Sequence, residues 1–200
     1  WAGSFFIGFC RYTIDWNDGM ATGLAAGTAG GWRPTLRHIS VQQQVAAVKN
    51  GNPGRADPVR VYLLGSGRPA VPVADGLARD PRVQLVGVGT QPDRPAGRQR
   101  QMHPTPLATH LAGQGVAVDK VLSVNDPQYV ARLRGLGPEL IVVVSFGQIL
   151  KRDILELPPC GCLNVHLSLL PRYRGASPVA AAILHGDACS GVSFLRMDRG

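Results

Sequence analysis

Apolar positions come in short blocks from Val59 onward, and the period of the blocks changes along the chain. Val59-Arg60-Val61-Tyr62-Leu63-Leu64 is an apolar run of strand length, Gly65-Ser66-Gly67 is a turn, and residues 70–79 carry apolar side chains at helical spacing. Residues 83–88 predict the next strand. After a long polar loop the pattern predicts a helix over 107–112, a strand over 116–118, a helix over 127–136 and a buried strand over 140–144. A helix over 149–157, a strand over 162–166, a helix over 178–185 and a last strand over 191–195 complete the series. Strands interleaved with helices argue for an α/β fold, a mostly parallel sheet flanked by helices. Such sheets bind ligands beyond the carboxyl ends of their strands, and Asn164 and His166 lie at one such end.

Residues 1–58 show no sustained period. They are rich in Gly, Ala and Thr, most of all over 19–31, and finish in a cluster of turn formers from Asn50 to Pro58. The expected organisation is an unassigned leader or run-on segment over 1–58 and one α/β domain over 59–200. Met20 is a candidate start, and the stretch behind it carries Arg33, Arg37 and Lys49 with no acid until Asp57, as in some organelle transit peptides. Run-on sequence explains the stretch as well and is the preferred reading. Both ends, Trp1 and Met197-Asp198-Arg199-Gly200, read as cut.

With 200 residues and 44% hydrophobic composition, the chain can bury a core of its own. No apolar run reaches the roughly 18 residues that a membrane helix needs, so no membrane partner is expected. Lys and Arg number 21 against 13 Asp and Glu, a net charge of +8. An excess of that size attracts polyanions such as RNA, and a solvated Arg-rich surface accounts for it equally. Of Cys10, Cys160, Cys162 and Cys189, only Cys160 and Cys162 stand close, on one face of a strand. Without further ligands at zinc-like spacing they read as reduced structural thiols, with no metal, in a reducing compartment.

Gly65-Ser66-Gly67 between strand and helix resembles the start of a dinucleotide fingerprint, but Ala70 stands where its third glycine belongs and no acid ends the second strand. A tight strand-to-helix turn is the better explanation. The loop from Gly89 to Arg100 is stiffened by Pro92 and Pro95 and holds Arg94, Arg98 and Arg100 against one acid, Asp93. Long basic loops of this kind grip phosphates or are ordinary exposed connections. Asn164 and His166 repeat every two residues and share a strand face. An amide donor beside a protonatable imidazole suits an oxygen that gains negative charge, as in acyl transfer; the alternative is a pair that satisfies turn backbone. Ser168, Leu169, Leu170 and Pro171 then add main-chain groups and an apolar wall, and Arg172 and Arg174 add cations.

NVHLSLLPRYRGASPVAAAILHGD, residues 164–187, resembles the signature of the folate-dependent formyltransferases. TQPDRPAGR, residues 90–98, resembles the loop particular to the members of that family that formylate methionyl-tRNA. The similarity covers about 60–200, with residues 142–150 and 191–198 also in register. The resemblance implies a Rossmann-like formyltransferase sheet and an enzyme that uses 10-formyltetrahydrofolate as formyl donor and no metal. It implies Asn164 and His166 as two of three catalytic residues. Ser168, Leu169, Leu170 and Pro171 would contact the folate, with Phe146, Gly147, Ile149 and Leu150 bordering the pterin pocket. Arg94, Arg98 and Arg100 would lie on the loop that meets initiator methionyl-tRNA. The third catalytic residue, an Asp, is expected just after Gly200, so the 200 residues as given are expected to be inactive.

The expected reaction is formyl transfer to the amino group of methionyl-initiator tRNA, in translation initiation, by a cytoplasmic monomer; a mitochondrial or plastid matrix is the alternative location. The rival within the family uses an amino-sugar nucleotide or another small amine as acceptor. The rival outside it is a non-catalytic nucleic-acid-binding module whose active surface is the basic loop.

Overall fold

Leu140-Ile141-Val142-Val143-Val144 is buried at every position, the mark of a strand covered on both faces. The computed structural model describes residues 11–15, 57–96 and 100–198. Its strands are β1 (Arg11–Asp15), β2 (Val59–Gly65), β3 (Val83–Thr90), β4 (Arg94–Ala96), β5 (Gln101–His103), β6 (Asp119–Lys120), β7 (Leu140–Val144), β8 (Cys162–His166) and β9 (Cys189–Met197). Its helices are α1 (Ala70–Arg79), α2 (Pro106–Ala112), α3 (Pro127–Leu136), α4 (Arg152–Leu155) and α5 (Pro178–Leu184). The described residues divide into two compact units, a larger one with 57–96, 100–164 and 196–198 and a smaller one with 11–15 and 165–195.

In the larger unit β2 lies between β3 and β7 and is parallel to both, and β6 extends the sheet parallel to β3. The chain reaches β8 beside β7, where the Ile141 N–H donates to the Gly161 carbonyl. Strands in this sheet alternate faces, so Tyr62 and Leu64 of β2 and Ile141 and Val143 of β7 point the same way. They form one apolar cluster with Val130 and Leu133 of α3 and Ile154 and Leu155 of α4. Val61, Leu63, Val142 and Val144 have the opposite parity and are buried as well. Each such side chain contributes about 1.5–3 kcal/mol relative to exposure.

The helices start where local chemistry allows. Asp126 caps α3 by accepting from the N–H groups of Gln128 and Tyr129, Pro127 occupies the first turn, and Gly137 ends the helix in the left-handed region at φ 54°. Arg60 completes that end, donating from Nη2 to the Leu136 carbonyl at 2.7 Å and from Nε to the Gly137 carbonyl at 3.2 Å. Thr105 caps α2 in the same manner through Ala108.

Tyr62 runs across the sheet to its edge. Its hydroxyl donates to Asp119 Oδ2 at 2.8 Å and accepts from the Tyr129 hydroxyl at 2.9 Å, while Arg132 holds the other Asp119 oxygen. The ring passes over Gly87, where a Cβ would come within 2.6 Å of it. Burial pushes both phenols up, Tyr129 to about 12.

In the smaller unit β9 pairs antiparallel with β1, Arg11 opposite Ser193 and Asp15 opposite Cys189. The sequence pattern left 11–15 within an unassigned leader, so this strand is new. Three further expectations are corrected. Residues 116–118 are not a strand; the pairing residues are Asp119 and Lys120. The helix expected over 149–157 is confined to Arg152–Leu155. The polar loop after β3 contains the antiparallel pair β4 and β5, with Arg94 opposite His103. The rest of 1–56 and the loop residues 97–99 lie outside the described residues. Among the described residues no helix is long and apolar enough to cross a membrane.

Candidate functional site

At the carboxyl ends of β2, β3 and β7, polar side chains tie three loops together. Phe146 follows β7 with its ring in the core, 2% exposed, and presents only its carbonyl. Gln91 Nε2 donates to that carbonyl at 2.7 Å, and the Gln91 main-chain N–H donates to Ser66 Oγ at 3.1 Å. Ser66 Oγ also lies 3.4 Å from the Phe146 carbonyl and 3.4 Å from Thr90 Oγ1, which stands 2.6 Å from Thr105 Oγ1. A carbonyl only accepts, so the hydroxyls point one way, from Thr105 through Thr90 and Ser66 to Phe146. Gly65-Ser66-Gly67, weakly suggestive of a dinucleotide turn in sequence, is the hub of this network.

The turn after β7 is held in conformations that L residues rarely take: Ser145 has φ 46° and Gly147 φ 80°. Farther along, Ile149 is 85% exposed and Leu150 is buried. Gln148 accepts from the Val124 N–H at 2.7 Å and donates to the Val121 carbonyl at 2.9 Å. Asn125 donates to the Ile149 carbonyl and accepts from the Lys151 N–H, each at 2.8 Å. Of the four positions expected to border a pterin pocket, Ile149 offers side-chain surface and Gly147 exposed backbone, whereas the side chains of Phe146 and Leu150 belong to the core.

The basic loop starts from the same network. Arg94 is exposed and donates to Gln91 Oε1, and Lys120 pairs with Asp93. Arg100 is exposed at φ 48°. Arg98 lies outside the described residues.

β8 carries the two residues expected to do the chemistry, Asn164 in the larger unit and His166 in the smaller. Both are half-buried, with Val165 buried between them, as strand alternation requires. The Asn164 side chain makes no hydrogen bond among the described residues.

In the smaller unit, His166 Nε2 lies 3.0 Å from the Tyr173 carbonyl. Ser168 is fully buried; its hydroxyl donates to the Arg172 carbonyl at 2.8 Å, and its own carbonyl accepts from Ser193 Oγ at 2.7 Å. Ser193 Oγ in turn accepts from the Leu170 N–H at 3.1 Å. Leu169 and Leu170 are half-buried and Pro171, joined by a cis peptide, is exposed. Ser168 therefore shapes the loop from within, and Leu169, Leu170 and Pro171 keep part of their surface outside the core. Arg172 and the Tyr173 hydroxyl both reach Asp187, at 3.1 and 2.8 Å. Sequence reasoning missed Ser193, Asp187 and the Tyr173 carbonyl, because long-range partners leave no local period. Of the remaining described histidines, His103 is exposed and His110 pairs with Asp75, whereas His185 packs tilted against the Tyr173 ring at 5.4 Å between centroids.

The family described as Formyl transferase matches residues 59–200. The chain belongs to the formyl transferase family. It is 49% identical over 141 residues to the methionyl-tRNA formyltransferase of Roseiflexus sp. (strain RS-1), across 70% of this chain and 43% of that one. It is 46% identical over 142 residues to the methionyl-tRNA formyltransferase of Chloroflexus aggregans, across 71% of this chain and 46% of that one. This formyl transferase chain thus spans less than half the length of either relative. Glycinamide ribonucleotide transformylase 1 from Symbiobacterium toebii shares its fold, with a TM-score of 0.52 at 19% identity over 73% of this chain and 69% of that one.

Proposed function

We propose that this chain is the catalytic part of an enzyme that transfers a formyl group from 10-formyltetrahydrofolate to the amino group of initiator methionyl-tRNA. The observation that carries the reading is its identity of 49% and 46% to two proteins named for that activity. The stretch TQPDRPAGR, with its cationic side chains, supports an RNA acceptor over a small amine. The proposed setting is the cytoplasm and the proposed form a monomer.

The donor supplies the formyl carbon and the methionyl amine is the nucleophile, so the protein contributes position and charge stabilisation. Asn164 has a free amide N–H to offer the formyl oxygen as it gains negative charge, a contribution of about 3 kcal/mol by analogy with other oxyanion donors. His166 is anchored through Nε2, because the Tyr173 carbonyl can only accept. Nδ1 is then the ring nitrogen left to exchange a proton with the reacting groups. Within the smaller unit, Leu169, Leu170 and Pro171 supply apolar surface for the folate. Arg94, Arg98 and Arg100 meet the phosphates of the tRNA.

The test is radiolabelled formyl transfer to charged initiator tRNA by a chimera in which residues 59–200 replace the matching segment of the Roseiflexus protein. Transfer at a rate within tenfold of that parent supports the reading. A folded chimera that binds folate and formylates an amino-sugar nucleotide, but not the tRNA, overturns the acceptor.

A further inference from the structure

We propose that Gln91 is a positioning residue that couples the basic loop to the turn after β7, so that occupation of the loop by RNA organises the folate-side turn. The proposal rests on the reading above for what each loop binds; the coupling itself rests on geometry within the larger unit.

Gln91 uses every polar atom of its side chain and its main-chain N–H between these segments. Its Oε1 takes the Arg94 guanidinium, its Nε2 donates to the Phe146 carbonyl at 2.7 Å, and its N–H donates to Ser66 Oγ at 3.1 Å. The carboxamide is one rigid plane, so a displacement of Arg94 that pulls on Oε1 turns Nε2 against Phe146. The turn is also shaped around this side chain. A Cβ at Gly147 would stand 2.5 Å from Gln91 Nε2, and Gly147 holds φ 80°. Glycine both permits the conformation and leaves room for the amide to close over it.

The far side of the loop base is fixed independently. Lys120 of β6 pairs with Asp93, and Thr90 is locked to Thr105 at 2.6 Å. Motion of Arg94 is therefore not absorbed by a sliding loop base. It passes to Gln91, whose other partner is the carbonyl that begins the turn. Gln91 needs no contact with either ligand for this role. By linkage, a residue that carries such coupling makes each ligand tighten the other by the same factor.

The experiment has two arms. Without ligand, amide hydrogen exchange of residues 145–149 is compared in the parent chain, Arg94→Ala, Gln91→Ala and the double variant. Arg94→Ala is expected to speed exchange in that segment by about threefold or more, and to add nothing once Gln91 is Ala, as two changes on one path behave. Gln91→Glu, which keeps the acceptor for Arg94 and loses the donor to Phe146, is expected to match Gln91→Ala at residues 145–149 while leaving exchange at 94–96 as in the parent. It also guards against a general loss of folding in Gln91→Ala. Unchanged exchange at 145–149 in Arg94→Ala, or additive effects in the double variant, would overturn the coupling.

With ligands, folate affinity of the Roseiflexus chimera is measured with and without initiator tRNA. A severalfold tightening that falls to about onefold in Gln91→Glu, with folate alone binding within threefold of the parent, is the expected result. Equal tightening in both proteins overturns the role in the reaction. A chimera that binds no folate overturns the functional reading instead, and the ligand-free arm still decides the coupling.

Discussion

The Tyr173 carbonyl fixes the tautomer of His166. Nε2 stands 3.0 Å from an oxygen that can only accept, so Nε2 carries the hydrogen in the neutral ring and Nδ1 is the basic atom. The carbonyl reaches that position because Tyr173 adopts φ 55° and Ser168 holds the preceding carbonyl. In the chimera, His166→Gln retains an N–H donor for Tyr173 but has no titratable nitrogen. It is expected to fold with a melting temperature near that of the parent and to lose about 100-fold or more in kcat. Single-turnover transfer with folate and tRNA both saturating checks this; a loss confined to KM would remove His166 from the chemistry.

Asn164 gives a complementary test. Its side chain has no bond to lose among the described residues, so Asn164→Ala is expected to leave stability within about 0.5 kcal/mol of the parent. The expected fall in kcat is about 100-fold, with the folate dissociation constant within about threefold. Equilibrium folate binding beside steady-state kinetics separates the two quantities.

The basic loop predicts a change of salt dependence. Arg98→Ala in the chimera is expected to raise KM for the tRNA while reducing the slope of its logarithm against log salt by about 0.7–0.9, the signature of one lost phosphate contact. Transfer assays between 50 and 200 mM salt, about the range in which such slopes are read, provide the measurement. Arg94→Ala is expected to add a folate effect that Arg98→Ala does not show.

Alkaline pH should destabilise the larger unit. Burial pushes the Cys162 thiol from 9.0 up to about 12 and the Tyr129 phenol from 10.0 up to about 12. Both stay protonated in the fold at a pH where the unfolded chain has released its protons. Their contribution is complete below about pH 9 and is lost as pH rises toward 12, at up to about 1.4 kcal/mol per pH unit for each group. Urea midpoints at a series of pH values should fall over that window, less steeply in Cys162→Ala. In the native chain iodoacetamide should label exposed Cys189 and spare buried Cys162.

The pair Tyr62 and Gly87 predicts two stability losses with different causes. Gly87→Ala places a Cβ 2.6 Å from the Tyr62 ring and is expected to cost about 1–3 kcal/mol through overpacking. Tyr62→Phe keeps the ring but removes the hydroxyl between Asp119 and Tyr129, at about 1–2 kcal/mol. Denaturant unfolding of both variants tests the values, and a strictly additive double variant would show that the ring does not shift in Gly87→Ala.

The central strands were legible because 59–64 and 140–144 are nearly continuous apolar runs, and α3 because Asp126-Pro127 and Gly137 frame it. The errors have physical causes. Val116, Ala117 and Val118 read as a strand, but the Val116 N–H donates to the Leu111 carbonyl at the end of α2, and pairing begins only at Asp119. Residues 149–151 read as helix, but Asn125 takes the Ile149 carbonyl and the Lys151 N–H across the loops. Strand β1 gave no signal because its partner lies far along the chain. Asn164 and His166 stood out as an amide and an imidazole two residues apart. Gln91 did not, since nothing in TQPD distinguishes a side chain that closes over Gly147 from one that faces water.

Strand β6 ends the sheet of the larger unit on two residues, Asp119 and Lys120, both charged and each paired through its side chain. A foreign strand looking for main-chain partners finds a ledge too short to zip onto and would have to strip two ion pairs to use it. The bridge from Tyr62 to Asp119 thereby also guards this flank against intermolecular β-pairing, giving a side-chain network inside the fold a part in keeping neighbouring molecules apart.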